Sequence, residues 1–304
     1  MLLLLEQILN GLQFGVMLFL LAAGLTLVLG IMNLVNLAHG SLYMVGAFVT
    51  AAVTSWSGSF MIGLAIALPA TMLVGMLVEV IVLRRLYPRH HLDQVLATFG
   101  LILFFNELVR VLWGPRPVFL DVPEFLNGSV ELLPGIPYPA YRLAIILVGL
   151  LVALFLYFLT QRTRIGMLIR AGASNREMVG ALGVNVGLLY TIVFGIGAML
   201  AGLAGVMAGP VYSVEMGMGE AILIQVFVVI VIGGIGSIRG ALIGSILVGL
   251  VDTLGRSFLP TALRLIMDPS RADGMGSALS SMSIYMLMAL VLFIKPQGLF
   301  RAHG

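Results

Sequence analysis

Apolar runs of about 20 residues, parted by short polar or glycine-rich interruptions, recur from end to end of the chain. A helix needs a run of that length to cross roughly 30 Å of hydrocarbon at 1.5 Å per residue. The pattern predicts spans over about 7–30, 60–83 (with Pro69 inside), 95–113, one ending near Thr160, 187–209, and a last one to Ile294. Two further runs are broken. Ile31–Gly40 interrupts the chain before a short apolar run to Trp56, and Gly233–Gly240 separates 221–232 from 241–259. The expected fold is all-α and polytopic, with about 8–9 helical segments in one transmembrane domain over 1–304. Paired interruptions in two halves of a transporter point to a substrate path. The candidate path residues are Asn33, Asn36, His39, Gly40, Gly233, Gly234, Gly236 and Ser237. Glycines can instead serve close helix packing. Gly236, Gly240 and Gly244 at four-residue spacing favour packing for the second break, whereas Asn33, Asn36 and His39 are costly in lipid and favour a path for the first.

One long polar, helix-competent stretch stands apart, from Arg162 to Val186. Ser174 with Glu177 fits a capping box, Met178, Ala181 and Leu182 form an i, i+3, i+4 stripe, and Gly183 is a natural stop. The predicted helix of about nine residues, roughly 12–14 Å long, cannot persist alone in water. It needs a surface, so Arg170, Ser174, Glu177, Met178, Ala181, Leu182 and Gly183 are the candidate docking residues; an ordinary ordered loop is the alternative.

Composition agrees with the span pattern: 61% hydrophobic and 10% charged residues, far from the roughly 25% charged of soluble domains. The net charge of +3 reflects loop placement and does not suggest nucleic-acid binding. The first five residues lack the basic start of a secretory signal, so 2–30 is expected to be a retained span. Arginine gathers in three places: Arg84, Arg85 and Arg89; Arg162, Arg164, Arg170 and Arg176; and the tail with Lys295 and Arg301. Placing all three inside puts the loops 114–141 and 260–282 outside, with the N-terminus also outside. Acids inside spans have basic neighbours at helical spacing: Glu79 before Arg84, Glu107 with Arg110, and Asp252 with Arg256. The last two pairs are self-satisfied, or form an outer rim for a soluble partner. The same count predicts no unpaired acid at mid-depth, which argues against an ion-coupled carrier.

Enzyme readings fail on chemistry. The only lysine, Lys295, precedes Pro296, so no nucleotide-binding P-loop exists. His39 and Ser41, two apart, do not face each other on a helix. No cysteine is present, and His90-His91 lacks acidic neighbours for a metal.

Several motifs in order resemble one family. Asn36-Leu37-Ala38-His39-Gly40-Ser41-Leu42-Tyr43-Met44 is similar to the N-[FL]-A-H-G-x-x-Y-M signature of branched-chain amino acid ABC importer permeases. Arg84-Arg85-Leu86 with Ala97-Thr98-Phe99-Gly100, Arg170-Ala171 through Asn185, Gly233-Gly234-Ile235-Gly236-Ser237, and Lys295-Pro296-Gln297-Gly298-Leu299 resemble its later marks. Arg239, where proline is common, and Ser41, where an acid often sits, depart from them. The likeness is to the first of the family's two permease subunits. It implies a type II-like importer in the bacterial inner membrane, embedded in lipid: two permeases (hetero- or homodimer), two cytoplasmic ATPases carrying ATP and Mg, and a periplasmic binding protein. This chain would itself bind no cofactor and catalyse nothing. Branched-chain amino acids lead as substrates, with urea, short amides and aromatic acids behind. A stand-alone channel or an ion-coupled carrier remains open.

Overall fold

The computed structural model describes residues 2–133 and 136–300; Met1, Pro134, Gly135 and the tail from Arg301 onward lie outside the described residues. Among the described residues there are eleven α-helices: α1 (Leu2–Met32), α2 (His39–Ser57), α3 (Phe60–Ile81), α4 (His91–Trp113), α5 (Ala140–Arg162), α6 (Arg164–Ser174), α7 (Arg176–Ala181), α8 (Val186–Ala208), α9 (Met218–Gly233), α10 (Ile238–Leu263) and α11 (Pro269–Ile294). Nine pack in the bundle and α6 and α7 lie at one end. Seven are long and apolar enough to cross a membrane: α1, α3, α4, α5, α8, α10 and α11. The shorter α2 and α9 are the helices beside the two breaks.

Helix α1 is the axis of the bundle. In its most apolar window 89% of residues are buried, against 11% for α11, so α1 is wrapped by protein while α11 offers its sides to lipid. Helices α10, α8, α5 and α9 surround it. Lipid tails are as apolar as leucine, so association in a membrane rests on close packing. The contacts follow that rule. Gly11 and Gly15 of α1 meet the backbone of α10 at 245–250, Gly24 meets Gly197 of α8, and Gly46 of α2 meets Gly202.

The described parts of the three basic stretches gather at one end; Arg301 lies outside the described residues. Arg84 reaches Thr191 and the Gly187 carbonyl at the start of α8, α6 packs on α1, and the tail pairs Leu299 N–H with the Ile232 carbonyl. At the opposite end, Asn10 of α1 accepts from Arg142 at 2.6 Å and from the Tyr138 hydroxyl at 3.2 Å. The start of α1 therefore lies beside the 114–139 segment. That segment carries a 3-10 turn (Glu124–Leu126) and a two-stranded antiparallel sheet, β1 (Ser129–Leu133) and β2 (Ile136–Pro139), and Val118 bridges to Val214.

The expected outer loop over 260–282 is mostly helix. Helix α10 runs to Leu263, and α11 starts at Pro269, in the first-turn position where proline costs nothing. Small residues carry this polar half of α11: Gly276 lies on Pro260, and Ser280 bonds back to the Gly276 carbonyl. Arg264 and Asp273 clamp the corner with two 2.8 Å bonds.

Candidate translocation path and docking element

The first break begins where α1 ends. Asn33 has φ +53, the left-handed conformation that stops a helix, and its N–H still reaches the Leu29 carbonyl. It is exposed at the α6–α7 end. Three residues on, Asn36 is wholly buried, and its side-chain oxygen accepts the Ala38 N–H at 3.0 Å, a turn that aims the chain into α2. His39, the first residue of α2, is also wholly buried and lies against Gly24 of α1. Its two ring nitrogens and the Asn36 amide nitrogen have no hydrogen-bond partner among the described residues; the Leu21 carbonyl approaches the imidazole without meeting bonding geometry. Each unmet buried group costs about 1–3 kcal/mol. One residue further, Gly40 touches the Gly219 carbonyl, so the first turns of α2 and α9 cross backbone to backbone. Asn36, His39 and Gly40 thus form one site, and Asn33 belongs to another.

The second break is built differently. Gly234 (φ +103) and Gly236 (φ +82) make the turn between α9 and α10, and Gly233 and Gly240 press on each other's backbone. Ser237 caps α10, accepting the Gly240 N–H at 3.1 Å. The carbonyls of Ile232 and Gly233 accept from Leu299 and Phe300. Here the polar groups are spent on packing and on holding the tail.

The polar stretch forms two helices, not one. Ser174 does not cap: it is the last residue of α6, and the neighbouring Asn175 caps α7, its side chain accepting the Met178 N–H at 3.0 Å. Asparagine and serine cap about equally well; Ser174 is held by α6, which leaves the extended conformation to Asn175 (φ −154). The helix is six residues long rather than about nine. Gly183 does stop it, with φ +84 and Val184 N–H bonded to the Val179 carbonyl. Val179 is buried, whereas Met178 at 58% and Leu182 at 76% are exposed, and Arg170, Glu177 and Ala181 are exposed with them. A cavity of about 550 Å³ separates α6–α7 from the end of α1 and the second turn; Asn33, Ser174, Glu177 and Ile235 line it.

Beside this element sits a buried acid. Glu79 is wholly buried and receives Arg84 at 2.9 and 3.2 Å, the Tyr87 hydroxyl at 2.8 Å and Thr191 at 2.7 Å. Tyr87 packs edge-on to Tyr190. Burial first, and the Glu79 bond second, push the Tyr87 phenol above its ordinary range. The Glu79–Arg84 pairing is legible at short range; Thr191, over a hundred residues away, is not.

At the other end, Glu107 and Arg110 are exposed and meet at 3.4 Å, whereas Arg256 grips the buried Asp252 at 2.8 and 3.0 Å. An acid outside the three expected pairs is Glu220, exposed in the first turn of α9. It hydrogen-bonds Asn106 of α4 and forms no ion pair among the described residues. Its partner comes from a distant helix, so spacing could not reveal it. No cluster of three potential metal ligands occurs among the described residues.

The family described as branched-chain amino acid transport system / permease component matches residues 7–294. The chain is 29% identical to the high-affinity branched-chain amino acid transport system permease protein BraD of Pseudomonas aeruginosa, over 97% of this chain and 95% of that one. It is likewise 29% identical to LivH of Salmonella typhimurium, a permease protein of the same description, over 97% and 94%. The ribose import permease protein RbsC of Escherichia coli is 24% identical over 76% of this chain and 72% of its own. No solved structure matches the chain.

Proposed function

The chain belongs to the family of branched-chain amino acid transport permease components, and from that premise we propose that it is one membrane subunit of an ATP-driven importer for branched-chain or related hydrophobic amino acids. A second permease completes the pore, two cytoplasmic ATPases carry ATP and Mg, and a periplasmic protein delivers the substrate across the bacterial inner membrane. The observation that carries this reading is the six-residue helix α7 with Leu182 capping its C-terminal end: Met178 and Leu182 face solvent while Val179 anchors the element. A helix so short is not stable alone, and an apolar pair on a cytoplasmic element fits a groove on a partner.

The geometry supplies a route for the motion. A push on α7 passes to α8 through Asn185, which caps α8 by accepting the Leu188 N–H at 3.0 Å. The same turn of α8 meets Arg84 and Glu79 of the neighbouring hairpin. The cavity under α6–α7 leaves room for this element to approach the end of α1. Beyond that end lie Asn36 and His39, whose unmet groups can solvate a passing zwitterion without holding it tightly. Low affinity suits a path whose substrate arrives by delivery.

Leu182→Asp tests the docking. In the complex reconstituted in vesicles, substrate-stimulated ATP hydrolysis and uptake should both fall at least ten-fold, about 1.4 kcal/mol, with the permease still inserted. Wild-type values would end the docking reading. Vesicles holding this chain alone should show no flux of urea, amides or amino acids, with or without a proton or sodium gradient; flux there would make it a channel or a carrier.

A further inference from the structure

Helices α5 and α10 both pack on α1 and share at most a marginal contact with each other. A groove of about 810 Å³ opens between them with α1 as its floor, and α6 and Phe300 close it at the basic end. We propose that this groove binds one anionic phospholipid of the cytoplasmic leaflet, its phosphate at Arg170 and Arg239 and an acyl chain along α1.

Three observations converge. At the mouth, Arg170 of α6 and Arg239 in the first turn of α10 line the groove, and neither guanidinium has an ion-pair or hydrogen-bond partner among the described residues. The first turn of α10 adds free N–H groups and the positive end of a 26-residue helix dipole. Deeper in, Thr26 is 1% exposed, lines the groove and leaves its hydroxyl without a partner, a buried donor waiting for an acceptor. Beyond it the walls are apolar, with Phe19, Leu27, Ala153 and Leu242. From Ile31 to Phe19 the floor runs roughly 18 Å at 1.5 Å per residue, a little over half of the roughly 30 Å hydrocarbon core and so one leaflet deep.

Length and charge choose the occupant. No acidic side chain lines the groove, so an amino acid lodged there would leave its ammonium group unanswered. Free phosphate would satisfy the arginines and leave the apolar floor empty. An anionic lipid meets both, and basic pockets between helices on the cytoplasmic side hold such headgroups.

The test uses the purified full-length chain in detergent, titrated with dioleoylphosphatidylglycerol or dioleoylphosphatidylcholine and read by native mass spectrometry. The wild type should retain the anionic lipid with at least ten-fold preference. The double variant Arg170→Gln, Arg239→Gln should lower that preference below about two-fold. Ala153→Trp, which fills the apolar end and keeps both arginines, should lose the adduct at an unchanged melting temperature. Preference that survives the double variant overturns the proposal. Displacement by 10 mM inorganic phosphate would make the groove a plain anion site, and displacement by leucine would make it part of the transport path; either result overturns it too.

Discussion

The two breaks look alike as sequence and do opposite things in the fold. At the first, Asn36 and His39 are wholly buried with nitrogens that bond to nothing among the described residues, directly behind the crossing of α2 and α9 at Gly40 and Gly219. At the second, Ser237 and the turn's backbone groups serve a cap, a turn or the tail, and Gly233 and Gly240 let α9 and α10 touch. One site keeps hydrogen-bonding capacity in reserve; the other has committed it. Unspent capacity inside a bundle is what a zwitterion needs in order to cross without water, whereas spent capacity is what a hinge or a clamp needs to hold shape.

The strongest test of that contrast is Gly240→Val. The new Cβ would run into the Gly233 carbonyl, a backbone atom that cannot swing aside. A loss of about 1–3 kcal/mol is expected, read as a lower melting temperature of the purified permease. An unchanged melting temperature would remove packing as the purpose of the second break. Asn36→Leu should do the reverse: stability within about 0.5 kcal/mol, because one turn bond is lost and one stranded amide is removed, but uptake about ten-fold slower, near 1.4 kcal/mol. Equal uptake would reduce the first break to packing as well. Gly244→Ala is no neutral control for this pair, since its Cβ would lie 2.7 Å from the Val229 carbonyl. Glu107→Ala serves better. Its exposed 3.4 Å pair with Arg110 should matter by under about 0.5 kcal/mol in melting and leave uptake alone; a larger effect would turn the outer rim into a working surface.

What the sequence shows here follows the range of the forces involved. Spans, breaks and basic stretches are written in composition over about 20 residues, so the helical bundle could be read directly. The pairs Glu79–Arg84 and Asp252–Arg256 lie within a turn or two of helix and were equally legible. Ser174 and Asn175 are both good caps, and only the continuation of α6 through Ser174 decides between them. Ser- and Gly-rich residues 269–282 read as a loop because their helicity depends on Pro260 and the Arg264–Asp273 clamp. Thr191 beneath Glu79 and Asn106 beside Glu220 come from remote helices, and no local pattern announces them. The difference between the breaks is of this last kind, since it depends on which neighbours arrive.

The central position of α1 also bears on how the chain is made. Helix α1 leaves the ribosome before α5, α8, α9 and α10, which all come to lean on it, and its largest contact is with α10, more than two hundred residues later in synthesis. Until each of them arrives, lipid must stand in for it. With Glu6 as its sole charge and apolar residues around its whole girth, α1 tolerates that wait. The uniform greasiness that makes it look featureless is what lets it lodge early and be enclosed late.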